Sequence, residues 1–136
     1  MLDAAGARRA GARGLSGIRI LVVEDEFLLA DLIGETLADA GAVVVGPAAT
    51  LEDGLSLLET EALDVAVLDV NLRGKSVQPL AMALHVRGKP FVFLSGYRDI
   101  ADLRRHFPDA PMLEKPADLG TLQRAVTALL GDHVSL

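Results

Sequence analysis

The chain has 136 residues, 51% of them hydrophobic and 24% charged, and a formal net charge of −6; it is long enough for one domain with a single core and too apolar to read as disordered. It has no cysteine, so it carries no disulfide framework or thiolate metal site. No apolar run reaches the roughly 18–20 residues that cross a bilayer, and none follows Arg8, Arg9 and Arg13 as a secretory signal requires. A cytoplasmic location is expected. The acidic balance and an aromatic content of 4% argue against a phosphate-backbone or base-stacking surface, so neither nucleic acid nor membrane is expected as a partner.

Residues 1–17 are rich in Ala, Gly and Arg without a sustained period and read as a flexible tail. From residue 18 onward, strand-like apolar runs alternate with helical patterns. Residues 18–23 form a first strand, and residues 27–40 a helix with Leu29, Ile33, Thr36, Leu37 and Ala40 on one face. Gly41 ends that helix, and residues 42–45 form a second strand that runs out at Gly46-Pro47. Leu51, Leu55, Leu58 and Ala62 mark a second helix, and residues 65–68 a third strand. A third helix spans residues 77–86, with Ser76 as its N-cap and Pro79 tolerated in its first turn. Residues 91–94 are a fourth strand. The pattern over residues 99–107 is weak and stops early at Pro108, so this helix is short. Met112-Leu113 is a brief fifth strand, and Asp118 caps a last helix carrying Leu119, Leu122, Val126, Leu129 and Leu130. The domain should span residues 18–131, with residues 132–136 as a tail.

Five strands alternating with helices predict an α/β fold with a doubly wound parallel sheet. The uninterrupted apolar strands fit a sheet covered on both faces. Chemistry in such sheets gathers at the strand carboxyl ends, beside the topological switch point. The polar residues there are Glu24-Asp25-Glu26, Asp69, Ser95 and Glu114-Lys115-Pro116, while the second strand offers nothing. In a strand order of 2-1-3-4-5, Glu24, Asp25 and Asp69 converge, flanked by Ser95 and Lys115. Packed carboxylates repel and call for a cation, and an all-oxygen set suits Mg²⁺ or Mn²⁺. A carboxylate beside such an ion, with an ammonium and a hydroxyl opposite, is equipped to receive a phosphoryl group. His85, His106 and His133 lack ligand spacing and read as solvated side chains.

The segments Val22-Val23-Glu24-Asp25-Glu26, Leu68-Asp69-Val70-Asn71, Leu94-Ser95-Gly96 and Leu113-Glu114-Lys115-Pro116 resemble the four motifs of response-regulator receiver domains, over about residues 18–131. The resemblance implies a flavodoxin-like fold and Asp69 as phosphoacceptor. It further implies that Asp25, Asp69 and the backbone carbonyl of Asn71 hold Mg²⁺, with Glu24 acting through water. Ser95 would donate to a phosphoryl oxygen, Lys115 would pair with the carboxylate and then the phosphoryl group, and the Lys115–Pro116 bond would be cis. Gly46-Pro47-Ala48, residues 68–72 and residues 90–97 resemble the narrower group of single-domain receivers named for an F-A-T-G-U-Y motif, with Leu94, Ser95 and Arg98 at variant positions. Such receivers imply a histidine kinase of the HWE-related bacterial type, or a histidine phosphotransfer protein, as partner.

Met112 stands where many receivers carry a switch aromatic, so Gly96, Tyr97 and Met112 become the candidate output residues. The sequence suggests no DNA-binding output domain, and signalling through the domain's own surface is the expectation. Two other readings compete. An aspartyl-phosphate phosphatase on this fold would need an acid two residues after Asp69, where Asn71 stands. A scaffold without phosphorylation would not need Asp25, Asp69, Ser95 and Lys115 together.

Overall fold

The computed structural model describes residues 14–96 and 100–134. Its elements in chain order are β1 (Arg19–Val23), α1 (Phe27–Asp39), β2 (Val43–Ala48), α2 (Leu51–Thr60), β3 (Val65–Asp69), β4 (Asn71–Leu72), β5 (Lys75–Ser76), α3 (Gln78–Val86), β6 (Phe91–Ser95), α4 (Ala101–His106), β7 (Met112–Glu114) and α5 (Leu119–Val134). Five strands form a parallel sheet in the order β2-β1-β3-β6-β7. This is the expected 2-1-3-4-5 order once the small antiparallel β4–β5 pair is set apart.

Side chains alternate across a strand, and here the alternation divides the core in two. Leu21, Val23, Ala66, Leu68, Phe91 and Phe93 face the layer holding Leu58, Leu80, Leu84 and Leu103. Ile20, Val22, Val65, Val67, Val92 and Leu94 face the layer holding Ile33, Leu37, Leu122 and Val126. Both faces are dry, which is why the central strands carry no polar residue until their ends.

Several expectations are corrected. β2 does not run out at Gly46-Pro47. Gly46 at φ +97 and a register shift opposite β1 carry the pairing across Pro47, and Val23 still aligns with Ala48. The N-cap of α3 is Val77 rather than Ser76, whose hydroxyl accepts from the Gln78 N–H at 3.0 Å. α4 covers only Ala101–His106. α5 runs on to Val134, beyond the expected boundary at 131. Residues 14–17, drawn as the end of the tail, pack onto the domain, because Leu15 is fully buried against the layer of Ile33 and Leu37; residues 1–13 lie outside the described residues. The Leu15 N–H donates to Ala40 O at 3.2 Å, and Gly17 N–H donates to Gly41 O at 3.0 Å. Gly41 turns the chain at φ +101, and a Cβ there would stand 2.9 Å from the Ser16 Cα. The Asp118 cap is present, its Oδ2 accepting from the Thr121 N–H at 2.9 Å.

Candidate functional site

Parallel register brings the strand ends level. Val23 aligns with Leu68, Asp69 with Leu94, and Ser95 with Glu114. The next residues along these strands therefore meet at one edge. β2 contributes after all, since its Ala48 carbonyl accepts the Glu24 N–H at 2.9 Å.

Among the described residues, the buried polar ones are Glu24, Asp69 and Ser95. Carboxylate oxygens of Glu24, Asp25 and Asp69 all lie within 4.8 Å of one another. Lys115 Nζ stands among them, 2.9 Å from Glu24 Oε1, 3.0 Å from Glu26 Oε1 and 3.1 Å from Asp69 Oδ2. Backbone amides orient the acids: Asn71 N–H donates to Asp69 Oδ1 at 3.2 Å, Arg73 N–H to Asp25 Oδ2 at 3.1 Å, and Glu26 N–H to Glu24 Oε2 at 3.0 Å. The cleft measures about 440 Å³ and is lined by Asp25, Glu26, Asp69, Asn71, Arg73, Gly74, Gly96 and Lys115.

The electrostatics follow from crowding. Burial, aided by the Glu24 charge, pushes the Asp69 carboxyl up to about 7 against the pull of the Asn71 amide and Lys115. Burial also opposes ionisation of Asp25, but hydrogen bonds with Asp69, Glu24 and the Arg73 amide hold it below the usual carboxylate range. For Lys115 burial favours the neutral amine, yet contacts with Glu24, Glu26 and Asp69 prevail and lift it above the ordinary lysine range. Four carboxylates thus face one ammonium. Glu24 Oε1 is buried and accepts no hydrogen bond, despite its ionic contact with Lys115. The hard all-oxygen cluster of Glu24, Asp25 and Asp69, with more carboxylate charge than one ammonium offsets, fits a divalent cation such as Mg²⁺.

The expected residues fall as follows. Glu24, Asp25, Asp69, Asn71 and Lys115 gather at the cleft. Ser95 is buried at the end of β6, where its carbonyl accepts the Lys115 N–H at 2.8 Å. The Lys115–Pro116 bond is cis, as is Gly46–Pro47. Gly96 lines the cleft, and Met112 is partly buried against the layer containing Phe93 and Phe107. Tyr97 lies outside the described residues. His85 and His106 are exposed, His85 meeting Phe107 edge-on at 5.9 Å. They border a larger hollow of about 650 Å³ at the amino end of β6; it holds no acidic cluster and lies away from the carboxylates. Sequence reading missed two cleft residues. Glu26 stands at the end of the first strand with no role assigned from sequence, and Arg73 sits in a hairpin too short for a periodic signal.

The family model for the response regulator receiver domain matches residues 20–127. Among solved structures, the solution structure of SdrG from Sphingomonas melonis Fr1 is 37% identical, covers 84% of this chain and 97% of that one, and superposes with a TM-score of 0.72. A response regulator receiver protein from Sinorhizobium medicae WSM419 is 28% identical, covering 86% and 97% of the two chains with a TM-score of 0.75. The transcriptional regulatory protein PdtaR of Mycobacterium tuberculosis is 27% identical over 131 residues, which is 87% of this chain. The chain spans 64% of the length of that curated relative.

Proposed function

The chain belongs to the response-regulator receiver domain family, and from that premise we propose that Asp69 accepts a phosphoryl group in a two-component phosphorelay. The observation that carries the reading is the Asp69 carboxylate, buried at a strand end, with Lys115 Nζ 3.1 Å away and oxygens of Glu24 and Asp25 within 4.8 Å. Receiver domains are signalling modules, and this one is consumed in its reaction rather than turning over substrate as an enzyme does.

Asp25, Asp69 and the Asn71 carbonyl would hold Mg²⁺ or Mn²⁺, with Glu24 acting through water. When bound, the ion supplies the positive charge that keeps Asp69 ionised at neutral pH and neutralises phosphoryl oxygens. The donor is a phosphohistidine on a histidine kinase, of the HWE-related type, or on a phosphotransfer protein. An Asp69 oxygen forms the bond to phosphorus as the P–N bond breaks, and the imidazole leaves with the electron pair and takes up a proton. Lys115 then pairs with the phosphoryl group, and the Ser95 hydroxyl donates to one of its oxygens.

Intact-mass measurement after incubation with phosphoramidate and Mg²⁺ tests the reading. One phosphoryl group should appear on the wild type, and none on Asp69→Asn or in excess EDTA. Uptake by Asp69→Asn equal to wild type would overturn it.

A further inference from the structure

The loop joining β4 to β5 is Arg73-Gly74. Both residues have positive φ, +54 at Arg73 and +88 at Gly74. A two-residue hairpin loop with positive φ at both positions favours Asn-Gly or Gly-Gly, because a side chain strains the left-handed region. Among the described residues, Arg73 is the non-glycine residue that adopts positive φ. The hairpin alone does not explain it.

The backbone role of position 73 does not need an arginine either. Its N–H donates to Asp25 Oδ2 at 3.1 Å, a bond any residue except proline can supply. The side chain is what sets arginine apart. Neighbouring cations are committed: Lys75 Nζ lies 2.7 Å from Glu52 Oε2, and Lys115 contacts Glu24, Glu26 and Asp69. Arg73 has no ion pair among the described residues, is exposed, and lines the same cleft as Asp69 and Lys115. An anionic donor entering a rim of four carboxylates meets repulsion, and a planar guanidinium suits a phosphoryl anion.

The geometry points to Arg73 as the residue that engages the phosphoryl group of the incoming donor, a role beyond anchoring Asp25. The inference rests on the phosphoacceptor reading of Asp69. Arg73 acts on capture of the donor, and Lys115 on the group once it reaches Asp69.

The test compares wild type with Arg73→Gly and Arg73→Lys. Glycine keeps the amide, relieves the positive-φ strain and removes the guanidinium; lysine restores charge without the planar fork. Initial phosphorylation rates are measured against phosphoramidate concentration at saturating Mg²⁺. Mg²⁺ affinity and melting temperature are measured on the same proteins. Arg73→Gly should melt no lower than wild type and bind Mg²⁺ equally. Its half-saturating phosphoramidate concentration should rise about tenfold, with the saturating rate within about twofold. Arg73→Lys should recover part of the loss, and added salt should shrink the difference. Wild-type saturation behaviour in Arg73→Gly would overturn the proposal, as would a loss of Mg²⁺ affinity that alone accounts for slower uptake. Failure of the wild type itself to label on Asp69 would overturn the phosphoacceptor reading and this inference with it. Normal wild-type labelling with an unchanged Arg73→Gly curve overturns the inference alone.

Discussion

Lys115 Nζ contacts Asp69 Oδ2 at 3.1 Å across 46 positions of sequence. The same ammonium is 2.9 Å from Glu24 Oε1. One cation thus holds together two buried acids from neighbouring strands, and much of the site's behaviour follows from that arrangement.

Removing the cation leaves those acids uncompensated. Lys115→Ala should lower stability by about 2–4 kcal/mol at pH 8. The loss should be smaller at pH 6, where Asp69, already pushed up to about 7, takes up a proton. Urea unfolding at the two pH values checks this, and equal losses would contradict it.

The metal-free protein should lose stability as pH rises. Asp69 is held at about 7 when folded, against 3.8 for an ordinary aspartate, so the folded state binds the proton more tightly. Its contribution is complete below pH 3.8 and is lost as pH climbs through about 7. Asp25, shifted down, changes its contribution only at acid pH, and Lys115, shifted up, only at alkaline pH. With solvent screening discounted, the change between pH 5 and pH 8 is about 2 kcal/mol, or roughly 5–10 °C in melting temperature. Thermal melts in EDTA should show this slope in wild type, and Asp69→Asn should flatten it.

Divalent cations should reverse that loss. At ten times its dissociation constant, Mg²⁺ stabilises by about 1.4 kcal/mol. Asp25→Ala removes an oxygen donor from the cluster of Glu24, Asp25 and Asp69, so its melting temperature should not respond to Mg²⁺. A full response in that variant would place the ion elsewhere.

Leu15 is fully buried, whereas Leu28 on α1 is 75% exposed. Leu15→Ala should cost about 2–4 kcal/mol by leaving a cavity, and Leu28→Ala less than about 0.5 kcal/mol. Denaturant titration separates them. Equal effects would mean that the segment before β1 does not hold the fold.

Phosphorylation should alter the short segment after β6. α4 has six residues and buries Leu103, and a helix so short depends on tertiary packing. Recruitment of Ser95 would tighten the Ser95-Gly96 turn and shift α4, with Met112 supplying no ring to rotate. Amide exchange with and without a phosphoryl mimic should change most over residues 96–107. Unchanged exchange there, with changes on another surface, would reject this output route.

The alternation of apolar runs and helical patterns was enough to predict a doubly wound parallel sheet, because strands buried on both faces cannot hide polar residues and must end where chemistry begins. That is why Asp25, Asp69, Ser95 and Lys115 stood out. The 2-1-3-4-5 order came with the family resemblance. Other features depended on contacts between distant residues. Leu15 reads as part of a featureless tail until the gap beside Ile33 and Leu37 is seen. Pro47 reads as a strand breaker until Gly46 and the shifted register let β2 reach Ala48. β4 and β5, two residues each, are too short for any period, so sequence could not place the Arg73 amide on Asp25. Residue types and their spacing set which layers form, since burial acts along each element. Register and loop geometry set which side chains meet, and these emerge only when the strands lie side by side.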